Sequence, residues 1–407
     1  MPDHEDDLSA GRHDLYLARL ARTREFMRRA DMPVLVVHDP VNVFYATGAR
    51  NMAVWTMRTP ARYLLLFAEG PAILYDFFGC EHLARDLPTI DEIRPAMGLC
   101  HISSGGDADG AARRFADEMR ATVDAVAGPL DTLGVDRLPF QVTDALREQG
   151  FRLSHTDQVF CPARSVKMAV EIPYMMEAMR RVEAAAETMQ DAIRPGVTET
   201  EIWAEFQRPF LSREGHYITT RLLQAGERTF PYFQECREAP VAAGDLVCFD
   251  TDACGYEGYA VDFSRTYLCA GAGASAGASD VQRRLFGLAR EQLEWNAALI
   301  KPGAEYRDIA EHAWPVPDEH QESRYYCVGH GLGVAGEFPN IPHARPGTPY
   351  PLTGGIEPGM VICIESYVGA ASASQGVKLE QQLLVTETGT ELMSTLGFDE
   401  RLAAPMI

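Results

Sequence analysis

The 407-residue chain carries 58 acidic against 37 basic side chains, a formal net charge of −21, which argues against nucleic acid and anionic membrane as partners. Its length suits two domains with substantial cores, and a hydrophobic content of 46% is ordinary for a soluble enzyme. The nine cysteines stand singly with no CxxC pair, a pattern of reduced, mostly buried thiols in a cytoplasmic protein. The acidic, polar opening MPDHEDDLSAGRHD predicts no secretory signal, and no apolar run approaches the ~20 residues of a membrane span.

In chain order, residues 15–30 place arginines on one side and Leu, Ala, Phe and Met at helical spacing on the other, predicting an amphipathic helix. Short apolar strands are expected at 33–38, 62–67 and 71–75, with another short element at 41–47. Between them NMAVWTMRTPARY, 51–63, is broken by Pro60, and Trp55 reads either as core or as a functional aromatic. GGDADG, 105–110, predicts a turn before a helix at 111–126. Strands at 131–135 and 151–154 flank a helix at 143–149. Alternating strands and helices predict an α/β domain over 1–160, ahead of a second domain over 161–407.

Beyond the boundary, expected at 162–169, residues 171–193 form a long helix ended by Pro195-Gly196. Thr198 with Glu201 makes a capping box that opens the next helix. The stretch 245–266, DLVCFDTDACGYEGYAVDFSRT, sets Asp250, Asp252 and Asp262 on two β-prone runs joined by a Gly-rich turn. If the first run is one strand, Asp250 and Asp252 share a face and the turn brings Asp262 alongside. Three acids so close repel unless a cation lies between them, or unless the stretch is a solvated hairpin. GAGASAGAS, 271–279, predicts a flexible loop before a helix at 281–300.

Further on, GHGLG frames His330 with glycines, while Glu365 and Glu380 lie in the apolar runs MVICIES and GVKLEQQLLV. An ionised glutamate among Val, Ile and Leu is costly to bury without a partner or a metal. Five carboxylates and one imidazole exceed the needs of one ion and point to two divalent ions close together. Such mixed ligands permit iron, manganese or zinc.

The ordered set RSVK, PGVTETEI, GDLVCFD, GYAVDFSRT, GHGLG, IESYV and GVKLEQQLLVTE resembles the pita-bread metallopeptidase and creatinase superfamily, closely over about 161–390. The resemblance implies an α/β creatinase-like N-terminal domain and an α+β catalytic domain, a curved antiparallel sheet flanked by helices. It implies a homodimer and a two-metal site in which Asp250, Asp262, His330, Glu365 and Glu380 match five ligand positions. Xaa-Pro peptidases of this fold resemble one another in two further histidines, and the matching positions here hold Phe233 and Glu337. The additional Asp252, with TRLLQAGERTFPYFQE at 220–235, is similar to the dimethylsulfoniopropionate lyases of this fold, which implies a sixth ligand and iron.

Those lyases release dimethyl sulfide and acrylate from a small sulfonium zwitterion. The similarity implies aromatic substrate-pocket positions at Trp55 and Tyr325. Independently, aromatic faces suit a sulfonium, and Tyr232 and Phe233 supply two more; Tyr325 and Tyr326 read alternatively as sheet packing. The base of the lyases matches Gly336, which accepts no proton, so the adjacent Glu337 is the candidate base, or else a surface acid. Arg265 is expected to pair with a ligand carboxylate from behind. His216 and His343 read as ordinary polar surface residues. A Xaa-Pro hydrolase and a non-enzymatic binding module remain the alternatives to a lyase.

Overall fold

A computed structural model describes residues 8–213, 215–271, 277–345 and 347–403. The opening residues 1–7 and most of the loop expected at 271–279 lie outside the described residues. The chain divides into two compact units, Met1–Arg164 and Ser165–Ile407.

The first unit runs α1 (Arg12–Arg29), β1 (Val34–Val37), α2 (Pro40–Thr47), the short α3 (Ala53–Thr56), β2 (Tyr63–Phe67), β3 (Ala72–Asp76) and β4 (Glu92–Pro95). It continues with α4 (Ala108–Ala127), β5 (Thr132–Val135), α5 (Phe140–Glu148), β6 (Arg152–His155) and α6 (Asp157–Ser165). Six strands form one mixed sheet in the order β4-β3-β2-β1-β5-β6. The central strands VLVV and YLLLF are buried on both faces, as uninterrupted apolar runs require. Phe115, Met119 and Val123 of α4 pack on Val34, Val36 and Leu65. The helix starts inside the expected GGDADG turn because the Asp107 carboxylate accepts the Gly110 amide. β4 went unread because its burial is only partial, leaving no apolar run to see.

The second unit opens with α7 (Ile172–Asp191) and α8 (Glu199–Leu211), the latter entered through the expected Thr198–Glu201 capping box. Next come β7 (Tyr217–Ile218), β8 (Leu223–Ala225), β9 (Leu246–Asp250), β10 (Ala253–Cys254), β11 (Ala260–Val261) and β12 (Ser264–Leu268). The chain then forms α9 (Asp280–Leu299), α10 (Tyr306–Glu311), β13 (Cys327–Leu332), β14 (Gly336–Pro342), β15 (Val361–Ala370), β16 (Gln375–Val385) and β17 (Thr390–Leu392). β14-β13-β15-β16-β17 form a five-stranded antiparallel sheet, and β12-β9-β8 a smaller one.

Period-two alternation on β15 and β16 sorts this unit into core and site. Ile362, Ile364 and Val368 join Val377, Leu379 and Leu383 in the core with Leu285, Phe286, Ala289 and Leu293 of α9. Cys363, Glu365, Lys378, Glu380 and Gln382 therefore project from the other face. Both faces are covered, so every polar group on the second face must be satisfied by partners it finds there.

Candidate metal centre

Register builds the site. Glu365 on β15 stands opposite Glu380 on β16, and His330 on β13 stands opposite Cys363 on β15. The His330 Nε2 lies 3.4 Å from Glu365 Oε1 and 3.7 Å from both Asp262 Oδ2 and Glu380 Oε1. Ligand atoms of Asp262, His330, Cys363 and Glu380 fall within 4.8 Å of one another, as do those of Asp250, Asp252 and Asp262. Asp262 belongs to both sets, so all six side chains singled out from the sequence converge.

The route that brings Asp252 there differs from the expected one. β9 ends at Asp250, the chain breaks at Thr251, and Asp252 adopts a left-handed φ of 40°. Its side chain is therefore placed by this break and held by the Thr220 hydroxyl, which donates to Oδ2 at 2.6 Å.

A residue the sequence reading passed over sits at the centre. Lys378, fully buried, donates from Nζ to Glu365 Oε2 at 2.6 Å, Glu380 Oε2 at 3.1 Å and Ser264 Oγ at 2.6 Å, with Asp250 Oδ2 at 3.5 Å. The signal was present, because Lys378 is two residues before Glu380 on one strand and so shares its face. Five carboxylates less one ammonium leave a formal charge of −4, the charge that two divalent cations cancel. Cys363 is the second residue missed, buried two positions before Glu365 on the same face.

Protonation equilibria report the same uncompensated charge. Burial, then the neighbouring Glu365, raises Glu380 well above the usual carboxylate range, and burial followed by Glu380 does the same to Asp262. Burial and Asp250 lift Asp252 to about 6. Burial opposes ionisation of Asp250 too, yet the Lys378 ammonium holds it below its ordinary value. Burial likewise opposes protonation of His330, but Glu365 wins and raises it to about 9.

A cation fits this donor set. Asp250 Oδ1, Asp262 Oδ1 and Glu380 Oε1 are buried without any hydrogen-bond partner. Three orphaned carboxylate oxygens around one centre are costly unless they hold metal.

The remaining candidates divide. Tyr232 is buried and donates to Asp250 Oδ2 at 2.6 Å, with Lys378 Nζ 5.6 Å from its ring centre. It orients the Asp250 carboxylate and is not an open substrate wall. Tyr325 is buried, with Lys378 Nζ 4.8 Å from its ring centre, whereas Phe233 and Tyr326 are each 55% exposed. The Phe233 ring centre is 5.2 Å from that of Tyr325. Trp55, on α3 of the first unit, is 44% exposed against Phe77, which sets aside the core alternative.

Two expectations are corrected. Arg265 does not reach a ligand carboxylate; its guanidinium donates to the Ser264, Glu380 and Leu396 carbonyls and lies over Phe263 and Phe398. It braces the strand that carries Glu380. Glu337 is neither a surface acid nor a free base. Its side chain is 2% exposed, and its carboxylate accepts from Lys167 Nζ at 2.8 Å and from the Val334 amide at 3.0 Å. Alternation on β14 turns Glu337 to the buried face shared with Ile341, while Gly336 and Phe338 lie on the open face. Gly336 itself has open space where a side chain would project.

The cluster lines a cavity of about 550 Å³, with Tyr325, Tyr326, Gly336, Glu337 and Asn340 in its walls. Among the described residues, no helix is long and apolar enough to cross a membrane.

Residues 173–387 match metallopeptidase family M24, and residues 19–166 match the Creatinase/Prolidase N-terminal domain. The chain is 31% identical over 401 residues to dimethylsulfoniopropionate lyase DddP of Roseovarius nubinhibens, covering 95% of this chain and 89% of that protein. It is 33% identical over 377 residues to DddP of Roseobacter denitrificans, covering 90% and 83%. The prolidase structure from Pyrococcus horikoshii OT3 aligns with a TM-score of 0.73 at 18% identity, covering 94% of this chain and 99% of that one. That likeness shows the fold, an N-terminal α/β domain ahead of a pita-bread domain.

Proposed function

The chain belongs to metallopeptidase family M24, and from that premise we propose that it is a two-metal lyase. Its substrate in this reading is dimethylsulfoniopropionate or a close sulfonium zwitterion, split to dimethyl sulfide and acrylate. The observation that carries the reading is the presence of Asp252 in the ligand cluster, where the resemblance to the lyases departs from the five-ligand peptidases. Likeness to the two lyases along most of the chain supports it.

Asp250, Asp252, Asp262, His330, Glu365 and Glu380 would hold the metals, and enzymes of this family bind divalent ions. Iron is the identity the lyase resemblance supports, with manganese and zinc compatible with the same donors. When bound, the ions supply positive charge that withdraws electron density from a substrate carboxylate. The chain's own residues do the rest. Tyr232 fixes Asp250, Lys378 balances the cluster, the bare Gly329 backbone lets β13 approach β15 closely, and Gly331 does the same toward β14. The rings of Tyr325, Tyr326 and Phe233 offer faces to a sulfonium, each worth about 0.5–2 kcal/mol.

In the elimination, the bond from hydrogen to the carbon beside the carboxylate breaks and its electron pair forms the C=C bond. The C–S bond breaks, and its pair leaves with sulfur as neutral dimethyl sulfide. Gly336 carries no base and Glu337, in the cavity wall, is paired with Lys167, so the proton has no unpaired acceptor on β14 and passes to solvent in the open cavity. A homodimer and a cytoplasmic location complete the reading; the first rests on the family resemblance, the second on nine free cysteines.

A second reading, a metal-dependent hydrolase of Xaa-Pro type, is supported by the five ligand positions shared with those peptidases and the family match, and opposed by Phe233 and Glu337 where the peptidases carry histidines. Headspace detection of dimethyl sulfide and release of proline from a dipeptide, on one sample of known metal content, separates the two. Proline without dimethyl sulfide overturns the lyase.

A further inference from the structure

Next to the acidic cavity lies a second recess of about 220 Å³ with the opposite charge. Arg324, Tyr326, His343, Arg345, Thr348 and Tyr350 line it with three prolines, and no carboxylate is among the lining residues. In a chain with 58 acids and 37 bases, two guanidiniums without an acid beside them are against the composition. Arg324 Nη1 donates to the Gln321 side-chain oxygen at 3.0 Å, and among the described residues neither arginine pairs with a carboxylate. Burial, with the Arg324 charge adding to it, holds the His343 imidazole down at about 4, so it contributes no charge at neutral pH.

The Tyr350 hydroxyl is occupied by the Pro342 carbonyl at 3.1 Å, and the Tyr326 hydroxyl accepts from Asn340 at 3.4 Å. Donors among the lining residues include the two guanidiniums, the Thr348 hydroxyl and the Tyr326 hydroxyl, which keeps its proton while accepting from Asn340. Guanidinium groups match the geometry of carboxylate and phosphate oxygens, and a pair of them repels without an anion between. Its volume admits one small acid or one anionic group. Tyr326 lines both this recess and the metal-centre cavity, so the two spaces share a wall.

We propose that this recess is a subsite for a carboxylate or phosphate group, distinct from the metal cluster, on a small molecule bound beside the candidate active site. It does not depend on the lyase reading, since anion binding is measured without turnover.

The test is calorimetric titration of acrylate and of inorganic phosphate into the full-length protein at low ionic strength, wild type and the arginine double variant being metal-loaded. Three proteins are compared: wild type, the double variant Arg324→Gln/Arg345→Gln, and the metal-ligand variant Asp262→Asn. Binding is expected in wild type and in Asp262→Asn, and at least tenfold weaker in the double variant, whose melting temperature stays that of wild type. No anion binding in wild type, or equal binding in the double variant, overturns the subsite. Loss of binding in Asp262→Asn alone also overturns it, because the anion then sits on the metals.

Discussion

The catalytic unit buries two kinds of carboxylate, and they differ in how fully they are satisfied. Glu199 accepts from the Ala225 amide at 2.8 Å, the Arg228 Nε at 2.9 Å and the Arg237 amide at 3.0 Å. Glu183 accepts from the Ser394 and Thr395 hydroxyls and the Leu396 amide at 2.6–2.8 Å. Asp250, Asp262 and Glu380 are as deeply buried, yet each keeps one oxygen with no donor. A carboxylate that fastens loops is saturated by the protein. One placed to hold a metal would be left unsaturated toward the ion, and the raised proton affinity of Asp262 and Glu380 is the counterpart of that missing positive charge.

The contrast fails most visibly if a ligand carboxylate proves dispensable. Asp262 belongs to both ligand sets, so Asp262→Asn should remove metal, measured by elemental analysis, and lower turnover by about 10³-fold or more. Glu199→Gln should do the reverse. Its buried pair with Arg228 is broken, which costs about 3 kcal/mol in denaturant unfolding while metal content per folded protein stays unchanged.

Adding a carboxylate with no donors sharpens the comparison from the other side. Gly336 has open space around a built Cβ, so Gly336→Asp should fold and raise dimethyl sulfide release by about 10²-fold, the lower range of a positioned base. An unchanged rate would show that proton removal does not limit this chain.

The smallest effect is one of pH. Asp252 rises from 3.8 to about 6 in the folded state, so the metal-free protein holds protons there that the unfolded chain releases. That stability is present below about pH 4 and is lost as pH rises through about 6. Metal-stripped protein should therefore melt a few degrees lower at pH 7.5 than at pH 5, whereas loaded protein lacks that fall because cations replace the protons. Equal melting of the stripped protein at both values would contradict the charge picture.

What the sequence determined by itself was whatever local period and spacing carry. The amphipathic helices, the Thr198–Glu201 box and the buried strand runs announce themselves within a few residues. The acidic cluster was legible because acids among Val, Ile and Leu are expensive wherever they fall in space. Local pattern says nothing of partners brought by register and fold. Glu337 meets Lys167 across 170 residues, Arg265 meets carbonyls 131 residues away, and Asp252 depends on a backbone break at Thr251. Lys378 stood on the face of Glu380 in plain view, but which oxygens it meets follows from β12, β15 and β16 packing together. The arginine recess likewise exists only where 324 and 345 fold onto one wall. Chemistry confined to one strand is written in sequence, and chemistry shared between strands is decided by the register and packing that only the tertiary fold supplies.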